Sequence, residues 1–376
     1  MIFNNTVVNR IALAITLALL WNGPSGRAAE PGRVWLLGGY GDSPQYRGVM
    51  IYQEGKGILW RHLGHGLLFY DCCMRPNGNV IFVDGRVSVT EMVPDRDKGE
   101  GGTVVWKYDV GSAEPSVERG VGPATGMYRV EAGSCWLQPD GTVIVSEGGP
   151  CRLVVLGSDG KVLRTVPLPR QDDVGPVWED PHRQLKQVRP DAAGVQWVAF
   201  GHAAFAKAVN DAGEVLRTIR VPIPPDKKRG KEVSDPRKRK GLEVYAAVPL
   251  PSGNVLLSTW LPALFEYDAK GEVVWEFTQE DATKNGIGKL GFPHGVVRLA
   301  NGNTVFCNWA TVTSKLVVEV STDKKEVWSL DRKDLGEGNG CRIMNVQLLR
   351  PDGKSPATTP DGRVAPVEKP STPRPE

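Results

Sequence analysis

The chain has 376 residues, of which 40% are hydrophobic and 24% charged, an ordinary globular composition. That length exceeds one conventional core unless the fold is a repeat or barrel that grows around an axis. A net charge of +3 provides no field suited to nucleic acid, so no nucleic-acid partner is expected.

The N-terminal segment reads as a signal peptide. Arg10 supplies a positive end, and Ile11 to Trp21 (IALAITLALLW) form an apolar run too short to span a bilayer. Gly26 and Ala28 stand at −3 and −1 of a cut before Ala29. Residues 1–28 are therefore expected to be removed. The mature chain is expected to be periplasmic or secreted, monomeric and without a transmembrane segment. An uncleaved anchor is the competing reading.

Beyond Ala29 the dominant feature is self-similarity, the signature of a repeat architecture. One half of the unit is a turn followed by an apolar strand: PNGNVIFVDGR (76–86), PDGTVIVSEGG (139–149), PSGNVLLSTWL (251–261) and ANGNTVFCNWA (300–310). The Asn/Asp/Ser-Gly pair supplies the turn, and the β-branched and apolar residues after it suit a buried strand. The other half reads GGTVVWKYD (101–109), DGKVLRTVP (159–167), AGEVLRTIR (212–220), KGEVVWEFT (270–278) and DKKEVWSLD (323–331), with GKGILWRHL (55–63) as a shorter copy. Trp60, Trp106, Trp275 and Trp328 recur here and are expected to pack between neighbouring units. Residues 184–222 make a degenerate unit in which Gly194 stands at the turn.

Each unit holds four strands, which is the anatomy of a propeller blade. The ends of the chain supply the count. RIMNVQLL (342–349) reads as an innermost strand and runs into the turn Pro351-Asp352-Gly353, after which no strand follows. PGRVWLLGG, from Pro31, continues the pattern at the other end. The prediction is an all-β, six-bladed β-propeller over 29–353, its ring closed by N- and C-terminal strands sharing one blade. Its blades are expected at 342–349 with 32–63, then 66–108, 131–168, 184–222, 243–278 and 293–331. Residues 223–240 form a basic loop outside the blades. Residues 354–376, rich in Pro, Thr and Ser, are expected to be disordered.

Polar residues where the innermost strands begin mark a channel mouth at which a ligand could bind. One column across the blades holds Tyr70, Gly133, Tyr245, His294 and Asn345, with Gln184 assigned to the degenerate blade; Asp71 and Ser134 follow at the next position. A second column, at the ends of the following strands, holds Asp84, Glu147, Thr259 and Asn308. Because consecutive strands are antiparallel, both columns belong to one face. The alternative is that these groups only satisfy loop backbone. His294, in GFPHGVVRLANGN, is the candidate catalytic residue, since a His there could serve as nucleophile or base. The six cysteines include the adjacent pair Cys72-Cys73, but there is no CxxC motif. The five histidines show no metal-ligand spacing, so neither a metal nor a cofactor is expected.

FPHGVVRLANGNTVFCNWA with LVVEVSTDKKEVW, and VPLPSGNVLLSTW with LFEYDAKGEVVWEF, resemble the blade signature of bacterial arylsulfotransferase-like propellers. That resemblance implies sulfuryl transfer through a channel histidine, here His294. Such a step also calls for several donors around the transferred group. The blades are similar to those of PQQ-like quinoproteins as well. That likeness implies an oxidoreductase with its quinone over a vicinal disulfide, here Cys72-Cys73. The functional expectation is an exported propeller binding a small molecule, glycan or protein partner at the channel mouth. Group transfer by His294 and quinoprotein-like oxidation stand as alternatives.

Overall fold

The computed structural model describes residues 32–41, 48–64, 71–113, 130–169, 181–201, 204–221, 243–309, 315–335, 341–354 and 356–357. The expected signal peptide, Tyr70, the basic loop 223–240 and the tail from 358 lie outside them. The strands are, in chain order, β1 (Val34–Gly41), β2 (Gly48–Gln53) and β3 (Gly57–Leu63); then β4 (Cys72–Met74), β5 (Val80–Asp84), β6 (Ser88–Pro94) and β7 (Gly102–Asp109). Next come β8 (Glu131–Leu137), β9 (Val143–Gly148), β10 (Arg152–Leu156) and β11 (Val162–Pro167), then a one-turn helix α1 (Pro181–Gln184). They are followed by β12 (Leu185–Pro190), β13 (Gln196–Phe200), β14 (Phe205–Val209) and β15 (Val215–Arg220). The last are β16 (Val244–Pro249), β17 (Val255–Thr259), β18 (Ala263–Tyr267), β19 (Val273–Thr278), β20 (Phe292–Arg298), β21 (Thr304–Trp309), β22 (Lys315–Val320), β23 (Glu326–Asp331) and β24 (Cys341–Leu349). A short helix α2 (Gln279–Lys284) separates β19 from β20.

These strands form six four-stranded antiparallel sheets, so the molecule is a six-bladed β-propeller. Blades two to six are β4–β7, β8–β11, β12–β15, β16–β19 and β20–β23. Blade one has the order β24-β1-β2-β3, and its register runs Val34 opposite Leu349 to Gly38 opposite Asn345. The turn that the sequence interrupts at Gly353 is thus completed by the N-terminal strand, closing the ring.

The repeat has a physical basis at each turn. The amide of the turn glycine donates to the carbonyl three residues back, from Gly78 to Arg75 and from Gly302 to Leu299, and Gly194 makes the same bond to Asp191. Gly78 and Gly302 sit at φ +90° and +86°, where a side chain is strained. The Asn that follows the glycine has its own partner. Asn79, Asn254 and Asn303 donate to Glu91, Glu266 and Glu319 at 2.6, 2.7 and 2.6 Å. The same carboxylates receive Arg75, Arg298 and Arg33. The NGN motif therefore clasps the turn to the third strand of its blade.

Six apolar clusters fill the six blade interfaces. The recurring tryptophans bridge neighbours, as their spacing predicts. Trp328 stacks on Trp35 of the next blade at 5.6 Å, and Trp60 donates its indole N–H to Gly101 of blade two at 2.8 Å. Burial falls from the inner strands outward, so β11 and β15 each bury only one residue of six while β12 is buried along its length.

Candidate functional site

The inner strands β8, β12, β16 and β20 share a local irregularity. Their pairing shifts register around Gly133, at Lys186-Gln187, at Tyr245 and at His294-Gly295. Bulges of this kind re-aim side chains and recur beside functional sites. Aligned on the turn hydrogen bond, the mouth column contains Gly133, Lys186, Tyr245, His294 and Asn345. Lys186, not Gln184, is the member from the degenerate blade. Gln184 instead accepts from the amide of Gly149 at 2.7 Å.

Three consecutive blades thereby place Lys186, Tyr245 and His294 together. The Lys186 ammonium lies 5.6 Å from the centre of the Tyr245 ring, which stacks on His294 at 3.8 Å. Lys186 donates to the carbonyl of His182 at 2.8 Å and pairs with Glu243 at 3.7 Å. Beyond His294 lies an aromatic group at the same strand ends. Trp260 stacks on Phe292 at 4.1 Å, Trp309 stands 5.6 Å from both Phe292 and His294, and the Arg342 guanidinium covers Trp309 at 4.9 Å. Trp260, Phe292 and Trp309 are half-buried. The indole nitrogen of Trp309 is buried with no hydrogen-bond partner among the described residues. To the other side of Lys186, Arg86 and His182 meet Glu131 at 2.9 and 3.3 Å.

His294 itself is buried, 6% exposed. Its Nδ1–H donates to the Phe292 carbonyl at 2.9 Å, which fixes the tautomer and leaves the lone pair on Nε2. Burial pushes its pKa down to about 3, with the Lys186 charge acting in the same direction, so the ring is neutral at pH 7.

Deeper in the channel a second set of predicted residues converges on one that the sequence reading missed. Arg189, from β12, forms a two-pronged ion pair with Asp71 at 2.8 and 2.9 Å. Ser134 donates to the same carboxylate, and the Arg189 guanidinium approaches Asn345 Oδ1 at 3.4 Å. Asn345 in turn donates to the Cys72 carbonyl at 2.7 Å. The guanidinium also lies 3.7 Å from the centre of the Trp136 ring. Asp71, Ser134, Arg189 and Asn345 are all buried and come from four blades, so this network ties the ring together on its axis.

In the second predicted column, Glu147, Thr259 and Asn308 each have polar partners within the protein. Glu147 accepts from the Tyr108 hydroxyl, the Gly111 amide and Arg152 at 2.6, 2.7 and 2.8 Å. Thr259 donates to Leu261 and Ala263 carbonyls at 3.0 and 2.9 Å, and Asn308 accepts from the Gly291 amide at 2.7 Å. Asp84 is half-buried at the β5–β6 turn, where its carbonyl accepts from Val87 at 3.2 Å.

No family model matches the chain, and no curated protein matches it in sequence. Among solved structures, a protein of unknown function from Bacteroides caccae is similar at 17% identity and a TM-score of 0.62, over 85% of this chain and 99% of that one. A virginiamycin B lyase from Staphylococcus aureus is similar at 12% identity and 0.44, over 70% and 69% of the two chains. The WD40 propeller domain of Doa1 is similar at 12% and 0.48, over 80% and 82%. The likeness is one of fold alone.

The residues do not fit a quinone held over a vicinal disulfide. Adjacent residues of a strand point to opposite faces. Cys72 accordingly enters the core between blades one and two, and Cys73 that between blades two and three. Both are thiols, and burial raises the pKa of Cys72 well above its usual value. Peptide mapping without reduction should therefore recover no Cys72–Cys73 crosslink; a mass two hydrogens short on a peptide holding only these two cysteines would contradict this packing. Among the described residues, no group of three or more His, Cys, Asp or Glu side chains is placed to hold a metal.

Proposed function

We propose that the protein is an exported binding module whose channel mouth takes a ligand with a flat face, either a small aromatic molecule or the terminal ring of a glycan. The half-buried Trp260–Phe292–Trp309 group carries this reading, with Arg342 over Trp309. Aromatic faces gain from stacking against rings, and a flanking cation and an unpaired indole N–H orient polar substituents. No helix among the described residues is long and apolar enough to cross a membrane.

Group transfer through His294 has one observation in its favour, the tautomer fixed by Phe292, which leaves Nε2 as a nucleophile. Against it stands the burial of the ring between Tyr245 and Trp309. Titration calorimetry with p-nitrophenol, p-nitrophenyl sulfate and methyl hexosides separates the readings. Binding by one of these, weakened about tenfold or more in both Trp260→Ala and Trp309→Ala, is expected; tenfold corresponds to about 1.4 kcal/mol. Binding that survives both substitutions, or none at all, would overturn the mouth reading. Transfer of the sulfuryl group of p-nitrophenyl sulfate to a phenol acceptor, with release of p-nitrophenol, lost in His294→Ala, would favour the transferase.

A further inference from the structure

The opposite end of the channel holds a cavity of about 200 Å³, lined by residues of all six blades. Met74, Trp136, Val248 and Val296 give it a largely apolar wall, and Arg189 with Asn345 form the end nearest the axial network. Its rim carries Pro76, Pro139, Pro190 and Pro249, one from each of four consecutive blades. Proline has fixed φ and no N–H, so this rim is rigid and poor in donors. A site of that kind is already shaped before a ligand arrives.

We propose that this cavity is a second binding site, for a neutral one-ring aromatic molecule carrying a single hydrogen-bond acceptor. Size sets the first limit, since an apolar cavity of about 150 Å³ accepts benzene. Charge sets the second. Arg189 is neutralised by Asp71 and Arg75 by Glu91, at 2.8 and 2.7 Å, so an anionic ligand would find no uncompensated cation there. The acceptor follows from Arg75, which lines the cavity. Its Nε is engaged by Glu91 and its Nη1 by the Gly141 carbonyl, at 2.7 and 2.8 Å. Its Nη2 is buried with no partner among the described residues, and a ligand carbonyl would supply one. Trp136, half-buried with Arg189 over its ring, offers the aromatic contact.

Titration of the full chain with acetophenone, toluene and benzoate tests the assignment. Acetophenone should bind saturably in the sub-millimolar to millimolar range, toluene about fivefold or more weakly, and benzoate not detectably. Val248→Trp, which fills the cavity from a half-buried position, should weaken acetophenone at least about tenfold. Arg75→Lys retains the charge facing Glu91 but lacks Nη2, and should bring acetophenone down to the affinity of toluene while leaving toluene unchanged. Trp309→Ala, at the other mouth, should change none of these, so failure here is distinct from failure there. Absence of saturable acetophenone binding, benzoate binding as tightly as acetophenone, or a folded Val248→Trp protein that binds like wild type would each overturn the proposal.

Discussion

Replacing Arg189 with Met should destabilise the propeller by about 3–5 kcal/mol, read as a shift in the urea midpoint at an unchanged slope. Asp71 is fully buried, and Arg189 is its only ion-pair partner among the described residues. Removing the guanidinium would leave that carboxylate in a low-dielectric core with only Ser134 and the Cys72 amide to solvate it. The double variant Asp71→Ala, Arg189→Met should be more stable than Arg189→Met alone, because no orphaned charge remains. Lysine at position 189 should not restore stability, since it lacks the fork that engages both Asp71 oxygens. A loss under about 1 kcal/mol for Arg189→Met would show that the axial network does not hold the blades together.

Acid lability is the second large effect expected, and it resides in His294. Its folded pKa, about 3, lies below the value near 6.5 of an unfolded histidine. Below about pH 6.5 the unfolded chain therefore binds a proton that the folded one refuses. Stability is complete above that pH and is lost as pH falls toward the folded pKa. The loss is about 2 kcal/mol by pH 5 and continues toward about 5 kcal/mol near pH 3. The groups acting on the ring are Lys186 from β12, His182 from α1 and Glu243 just before β16. Of these, only Glu243 would welcome an imidazolium. His294→Phe keeps an aromatic ring against Tyr245 and Trp309 and removes the titration. Its denaturation midpoints should fall less between pH 7 and pH 5 than those of wild type. Parallel pH profiles for the two proteins would mean that the ring is protonated in the folded state.

The same residues show how far the sequence could be read. Blade number and closure were legible because glycine turns and apolar strands are local, and because the turn at Gly353 has its continuation at Val34. Tyr245, His294 and Asn345 were placed in one column for the same reason. The degenerate fourth blade hid the rest. Ala193, not Asn, Asp or Ser, precedes Gly194, which disguises the motif and puts Gln184 in the column where Lys186 belongs. Arg189 went unnoticed although it supplies the axial guanidinium. Counting back eight residues from Gly194, as from every other turn glycine, would have found Lys186. Glu147, Thr259 and Asn308 illustrate the opposite difficulty. A polar residue at a strand end reads alike whether it faces a ligand or its own loop, and only the hydrogen-bond partners tell the two apart. The aromatic group at the mouth was only half legible. Trp260 and Trp309 share one place in the repeat, seven residues after Gly253 and Gly302, whereas nothing in the repeat announces that Phe292 stacks between their blades.

Ligand should bind where the inner strands begin. A crystal structure of the protein, soaked with whichever of p-nitrophenol, p-nitrophenyl sulfate or a methyl hexoside binds in titration, locates that ligand. The expected result is a ring lying flat against Trp260, Phe292 or Trp309, with its polar substituent toward Arg342. A molecule bound only elsewhere, with solvent alone on that aromatic face, would contradict it.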